Sequence, residues 1–366
     1  MASSFKPFRS YFLFFLLIVL AYQYGLCSRN IPRNQLDVKN GTRNTTPQRF
    51  DFSKFSHAGL GSKISGMSQL KRYLHRFGYL APRPRGSNFS DDFDVELESA
   101  LFKYQKRLGL QGTGRVDPET VASLMSPRCS VRDIHDYESP SSPETSVFHV
   151  TKNYKILDGR PIWNLSKPMT LKYAFYPDDM FDYLSQEEIR AAFAQAFAKW
   201  AEVIPVKFEE TSDYLLAEVA IGFFKEEHGD GSPFDGPLGV LAHAFPYPIG
   251  DLHLDADENW AVDFKTNRAP RAIDLESVAI HEIGHVLGLD HSSLKESVMY
   301  PSITAMTKKV DLTMDDVEGI QMLYGPNPNM NLSSLVQTHS SVAAVGLQRR
   351  RIPFGWTLTL IVALLS

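Results

Sequence analysis

Three histidines and a glutamate stand in the run His281-Glu282-Ile283-Gly284-His285-Val286-Leu287-Gly288-Leu289-Asp290-His291. Residues four apart on a helix share a face, so His281 and His285 can reach one cation. Gly288 tolerates backbone angles that end a helix and turn the chain, which lets His291 return as a third ligand. Three neutral imidazoles leave one tetrahedral position open, as catalytic rather than structural zinc requires. Glu282 lies beside the ligand face and is not needed as a ligand. It is expected to act as the base, taking a proton from water held by the ion and passing it to the leaving group. The ion would bring the pKa of that water down to roughly 7 and polarise the carbonyl under attack. A helix of satisfied core histidines would explain a bare His-Glu-x-x-His, but not the added glycine and third histidine.

Upstream lie His228, Asp230, His243 and His253. Each histidine alone reads most simply as a surface or core residue. Together the four would close a tetrahedral site with no open position, as structural zinc does. The same stretch is dense in carboxylates: Asp235, Asp251, Asp255, Asp257 and Glu258. These make either a solvated acidic loop or a calcium site, which takes six to eight oxygens including backbone carbonyls.

The elements that must position these residues follow from periodicity and caps. Leu70, Leu74 and Phe77 have helical spacing and stop at Gly78. A second helix from about Phe93 carries Leu97, Leu101, Tyr104 and Leu108, with Gly109 as stop. Asp117-Pro118 opens a third, bearing Val121 and Leu124. These make an all-α three-helix unit over residues 62–126. Residues 29–60, polar and rich in Asn, Arg, Ser and Gly, read as a flexible lead-in. The Pro/Ser-rich stretch around 139–143 reads as an accessible linker. Beyond it, residues 169–175 and 217–224 alternate like strands. A capping box at Ser185 and Glu188 opens a helix carrying Ile189, Phe193, Phe197 and Trp200. Further helices are expected over 275–287 and 313–323, the last capped by Thr313.

The chain has 366 residues, 43% of them hydrophobic, enough for more than one core. Its net charge of −4 gives no sign of a nucleic-acid partner. Lys6 and Arg9 precede an apolar run over 11–21, the layout of a secretory signal peptide spanning residues 1–28; an N-terminal anchor is disfavoured by the shortness of the run. The last segment follows Arg349-Arg350-Arg351, is mostly apolar, and is short of the roughly 20 residues a membrane span needs. With small residues and a polar spacer upstream, it fits a GPI-attachment signal over 342–366, after a linker at 327–341. Asn40, Asn44, Asn88, Asn164 and Asn331 each begin an Asn-x-Ser/Thr glycosylation signal. Of the two cysteines, Cys27 and Cys129, only Cys129 would survive signal removal. A lone thiol in an oxidising compartment is either buried and idle or has a metal to bind.

Ser297-Val298-Met299-Tyr300-Pro301 adds the last motif, because a Met in a tight turn beneath three His ligands marks metzincins. The chain resembles a matrixin (matrix metalloproteinase) over about residues 62–325, and most closely the plant type without a hemopexin domain. The resemblance implies an α+β fold. A metzincin-type catalytic domain, with a twisted mixed sheet and three helices, would span 148–326. A peptidoglycan-binding-like three-helix prodomain would precede it within a propeptide spanning 29–147. Residues 127–133, Pro-Arg-Cys-Ser-Val-Arg-Asp, are similar to the matrixin switch segment, whose Cys thiolate fills the open zinc position; Arg128 and Asp133 would pair to hold the loop. Ser130 and Arg132 depart from the family's Gly and Pro, and Ser130 adds a side chain close to the cleft.

The resemblance further implies a structural zinc on His228, Asp230, His243 and His253. It implies calcium on Asp235, Asp255 and Glu258 with the carbonyls of Gly236, Leu238 and Val240, and a second calcium on Asp251 and Glu218. An extended substrate would pair with the strand over 240–244, beside an apolar pocket walled by Tyr300-Pro301. Cleavage before Phe148 by an activating protease would free an ammonium for Asp315 or Asp316, two residues that otherwise simply favour a helix N-terminus. The expected product is a monomeric, latent, zinc-dependent endopeptidase acting on extracellular proteins, either held at the outer face of the plasma membrane by a GPI anchor or secreted to the matrix or cell wall. The rival is a wall-bound adhesion protein with a dead protease scaffold, and intact Glu282 argues against it.

Overall fold

A computed structural model describes residues 50–84, 87–134, 152–164, 168–177, 183–267 and 269–330. The signal segments at both ends, Phe148, Asn40, Asn44 and Asn331 lie outside the described residues. Asn88 and Asn164 are exposed.

The first helices form where caps and apolar spacing coincide. A 3-10 turn, η1 (Phe52–Phe55), is followed by α1 (Met67–Arg76), α2 (Val95–Arg107) and α3 (Pro118–Leu124). Asp94 and Asp117 cap α2 and α3 by accepting from the N–H groups of Leu97 and Thr120. Gly66 at the start of α1 has no side chain to offer, so the Asp91 carboxylate caps it instead, accepting from the N–H groups of Gly66 at 3.0 Å and Ser68 at 2.9 Å. Leu70, Leu74, Phe77, Leu97, Leu101 and Tyr104 close into one core. That core also takes Phe52 and Phe55, which corrects the reading of residues 29–60 as a flexible lead-in. Two phenylalanines three apart lie on one side of a 3-10 turn, and their burial outweighs the polar composition around them.

The chain then runs through β1 (Arg128–Cys129), β2 (Lys155–Ile156), β3 (Met169–Phe175), α4 (Gln186–Val203), β4 (Val206–Glu210), β5 (Val219–Phe224), β6 (Val240–Ala244) and β7 (Asp251–Asp255). After these come β8 (Trp260–Ala261), β9 (Ile273–Asp274), α5 (Leu275–Val286), β10 (Leu289–Asp290) and α6 (Met314–Tyr324). Six strands form one mixed sheet in the order β1-β6-β7-β5-β3-β4. Only the β6–β7 pair is antiparallel. The Ser185/Glu188 capping box starts α4 as the sequence predicts. The apolar face of α4 packs on α5, which is buried along its whole length, and Trp200 Nε1 donates to the Ile280 carbonyl at 2.9 Å. Gly288, at φ 103°, ends the α5 turn and redirects the chain toward His291.

Candidate zinc centre and substrate cleft

Helix α5 carries His281 and His285 on one face, with their Nε2 atoms 3.1 Å apart. Each of His281, His285 and His291 has its Nδ1 tied down. His281 Nδ1 donates to the Val298 carbonyl at 2.7 Å and His285 Nδ1 to the Leu289 carbonyl at 2.8 Å. His291 Nδ1 donates to Asp133 Oδ1 at 2.7 Å. Such bonds put the proton on Nδ1 and aim the Nε2 lone pairs at a common point. His291 Nε2 is buried with no hydrogen-bond partner. The Cys129 sulfur completes the group, and its ligand atom and those of the three histidines all lie within 4.8 Å of one another. Three imidazole nitrogens and one sulfur, all buried, fit a tetrahedral zinc ion.

Glu282 is 1% exposed, and its carboxylate lies beside the Cys129 thiol. Burial pushes its carboxyl up to about 8, with the Cys129 thiol beside it pulling the other way. Burial also pushes the Cys129 thiol up, and the Glu282 charge adds to that. A cation among the four ligands would reverse this for sulfur by stabilising the thiolate. Met299 is buried directly beneath α5. A Cβ on Gly284 would stand 2.3 Å from Met299 Sδ, so the glycine between the first two histidines is a packing requirement.

Strand β1 lies along the free edge of β6, parallel to it. Arg128 N–H donates to Gly239 O at 3.0 Å, Ser130 N–H to Ala242 O at 2.8 Å and Cys129 N–H to Pro301 O at 2.9 Å. The edge expected to receive an extended substrate is therefore taken by the segment around Cys129. The Arg128 guanidinium pairs with Asp133 at 2.8 Å and lies 3.6 Å from the Phe77 ring centroid. Tyr79 donates its hydroxyl to the other Asp133 oxygen at 2.7 Å. Burial alone would raise the Asp133 carboxyl, but Arg128 and His291 overcome it and hold it well below the usual range. The Ser130 hydroxyl accepts from Arg76 Nη2 at 3.1 Å, and the same nitrogen donates to the Pro233 carbonyl at 2.8 Å. Arg107, at the end of α2, pairs with buried Asp290 at 2.8 Å, beside the third histidine. Sequence reasoning missed Arg76, Tyr79 and Arg107, because no local spacing signals contacts this distant along the chain.

The second histidine group also converges. His243 on β6 sits opposite His253 on β7. His228 Nε2, His243 Nε2 and His253 Nδ1 lie 2.8, 2.6 and 2.9 Å from Asp230 Oδ2. The His228 ring is stacked between Phe224 and Phe234. Burial would raise Asp230, yet the three imidazoles hold it far below the carboxylate range. Four donors within 4.8 Å of one another fit a closed zinc site.

Asp235, Asp255 and Glu258 share a loop region but do not close to the spacing of the two histidine groups. Asp255 Oδ2 is buried without a partner, and burial, with Asp257 and Asp235 adding to it, pushes the carboxyl up to about 7. Asp235 Oδ1 accepts from Val240 N–H at 2.6 Å, and Glu258 accepts from Leu238 N–H. Gly236 and Leu238 both adopt positive φ, at 80° and 67°, as a loop that turns its carbonyls inward would need. An uncompensated carboxylate among such carbonyls fits a calcium ion. Of the second calcium pair, Asp251 is buried on β7, while Glu218 accepts from Lys172 N–H at 2.8 Å.

Asp315 accepts from the backbone N–H groups of Asn153 and Tyr154, at 3.0 and 2.8 Å. Asp316 is buried and committed to Ser297 and to the Thr313 cap. Of the two aspartates, Asp315 is therefore the one that meets the backbone at residues 153–154.

Among the described residues, no helix is long and apolar enough to cross a membrane. The chain matches the Matrixin family over residues 163–325 and the Putative peptidoglycan binding domain over residues 65–124. It is similar to Metalloendoproteinase 1-MMP of Arabidopsis thaliana, with 47% identity over 90% of this chain and 88% of the relative. It is 42% identical to Metalloendoproteinase 1 of Glycine max over 75% of this chain and 87% of the relative. Interstitial collagenase of Sus scrofa is 37% identical over 63% of this chain and 43% of the relative. With the three histidines converging at the heart of the matched region, the chain belongs to the matrixins and is a zinc-dependent metalloendopeptidase.

Proposed function

We propose that this chain is made as a latent, exported endopeptidase whose Cys129 fills the fourth position at His281, His285 and His291 until the segment carrying it leaves. One observation carries the reading: the Cys129 sulfur and the ring nitrogens of the three histidines all lie within 4.8 Å of one another, beside a buried Glu282. Zinc, when bound, supplies Lewis acidity to the scissile carbonyl and acidifies water. The remaining work falls to the chain. Removal of β1 would free the β6 edge, where an extended peptide can form main-chain bonds. The cleft walls of Leu241, Val278 and Val298 would exclude water around the bond to be cut. Glu282 would take the proton of the attacking water and hand it to the departing amine.

The same reading assigns His228, Asp230, His243 and His253 to a structural zinc, and Asp235, Asp255 and Glu258 to calcium. Residues 1–28 would direct export, a second protease would cut before Phe148, beyond the linker around 139–143, and residues 342–366 would be exchanged for a GPI anchor on a monomeric protein. The substrates would be extracellular proteins. The adhesion alternative is not favoured, since His281, His285 and His291 converge with Cys129 and Glu282 is buried next to His281.

The test is metal analysis and peptide cleavage of the full chain after limited proteolysis of the linker. Two zinc ions per chain and cleavage abolished by a chelator are expected. Undiminished cleavage by the metal-free chain would end the proposal.

A further inference from the structure

Away from β1, the three-helix unit also meets the catalytic part at the end of α2. There Arg107, Leu108 and Gly109 stand against the turn that follows β10. Arg107 Nη2 donates to Asp290 Oδ2 at 2.8 Å, and both side chains are 7% exposed. Beside them Tyr300 donates its hydroxyl to the Leu108 carbonyl at 3.2 Å. Gly109, at φ 67°, comes so close to the turn that a Cβ would stand 2.9 Å from the Ser293 carbonyl oxygen. A further pair, Lys295 with Glu119 at 3.3 Å, is more than half exposed on both sides.

These contacts do not weigh equally. The Lys295–Glu119 pair is screened by water and contributes little. The Arg107–Asp290 pair is shut away from water. Arg107 Nε is buried with no hydrogen-bond partner, so the guanidinium charge is answered through Nη2. Removing that guanidinium would leave the Asp290 carboxylate covered by α2 and without its cation, which costs far more than losing an exposed pair. The cost falls on the latent form alone, because lifting α2 away opens Asp290 to water. Arg107 therefore biases the balance between the seated and the lifted three-helix unit without touching a zinc ligand.

We propose that the Arg107–Asp290 pair is a second hold on the latent state, seating the three-helix unit beside the third histidine in addition to the Cys129 sulfur. It regulates the site without being part of it, since an enzyme cut before Phe148 no longer contains Arg107. The inference rests on Cys129 sealing the site, as proposed above.

The test is the rate at which a thiol reagent alkylates Cys129 in the uncut, zinc-loaded full chain, read from the mass of the peptide that carries it. Arg107→Met should speed labelling by about 10- to 100-fold, the scale of one buried hydrogen bond between charged groups. Arg107→Lys keeps a cation without the planar fork, and its rate should lie between the two. The decisive comparison repeats Arg107→Met in an Asp290→Asn chain, where the rate should change by less than about threefold, because the partner charge is already gone. A variant that merely loosens the three helices would speed labelling equally in both backgrounds, and that result overturns the proposal. So does an unchanged rate in Arg107→Met while the wild type is labelled slowly. A wild-type chain labelled as fast as a denatured one would instead overturn the seal by Cys129, and this inference with it.

Discussion

Ser130 gives Arg76 an acceptor that glycine, the family's usual residue there, could not supply. Arg76 spans from that hydroxyl to the Pro233 carbonyl, so it ties the segment carrying Cys129 to the catalytic side. Ser130→Gly removes one such bond, worth about 1 kcal/mol net, or roughly fivefold in an opening equilibrium. The expected outcome is faster alkylation of Cys129 by a thiol reagent in the full-length variant, by about that factor. Equal or slower labelling would show that the bond does not hold the segment. The approach of His281 to His285 was legible in the sequence because helical spacing alone brings the two together. Arg107 was not, because an arginine in the last turn of a helix reads as a partner for the helix dipole. Nothing local announces that it meets Asp290, 183 positions away.

At the scale of elements, α5 has to lie close to the turn at Met299 and to α4. The side-chain hydrogen at Gly284 makes that approach possible. A Cβ there would meet Met299 Sδ at 2.3 Å and Trp200 Cζ2 at 3.1 Å. Gly284→Ala should destabilise the protein by about 1–3 kcal/mol, the usual cost of overfilling a packed core. A lowered thermal midpoint measures this, and the loss should shrink when Met299→Ala is combined with it, as coupled neighbours require. Additive losses would contradict direct packing between the two residues. The starts of α3, α4 and α6 were readable from Asp117, Ser185 and Thr313. The cap of α1 was not, since Asp91 supplies it from 25 residues away. Likewise η1 escaped notice, because its two phenylalanines fill a core built by helices that come later in the chain.

For the whole molecule, the sheet order joins the two parts, with β1 from the first closing the edge of β6 in the second. That edge pairing was not legible, because a two-residue strand has no periodicity to read. Stability of the whole should also depend on calcium and on pH. Asp255 is held up to about 7 by burial, above its unfolded value of about 3.9. Without a cation, its contribution is fully present below about pH 4 and is lost as pH rises through about 7. Calcium removes that penalty, so its stabilising effect should be larger at about pH 7.5 than at about pH 5. Thermal midpoints with and without added calcium at the two values measure this; an equal or reversed calcium effect would mean that Asp255 does not face the ion.

The central proposal is one arrangement, an ion held by His281, His285 and His291 with Glu282 beside it. The most direct measurement is the kcat of the linker-cleaved chain and of its Glu282→Gln variant on casein, with zinc content determined on both. The account predicts equal zinc and a kcat lower by about 100- to 10,000-fold, the range for loss of a positioned base. A kcat within a few-fold of the wild type, at equal zinc, would contradict it.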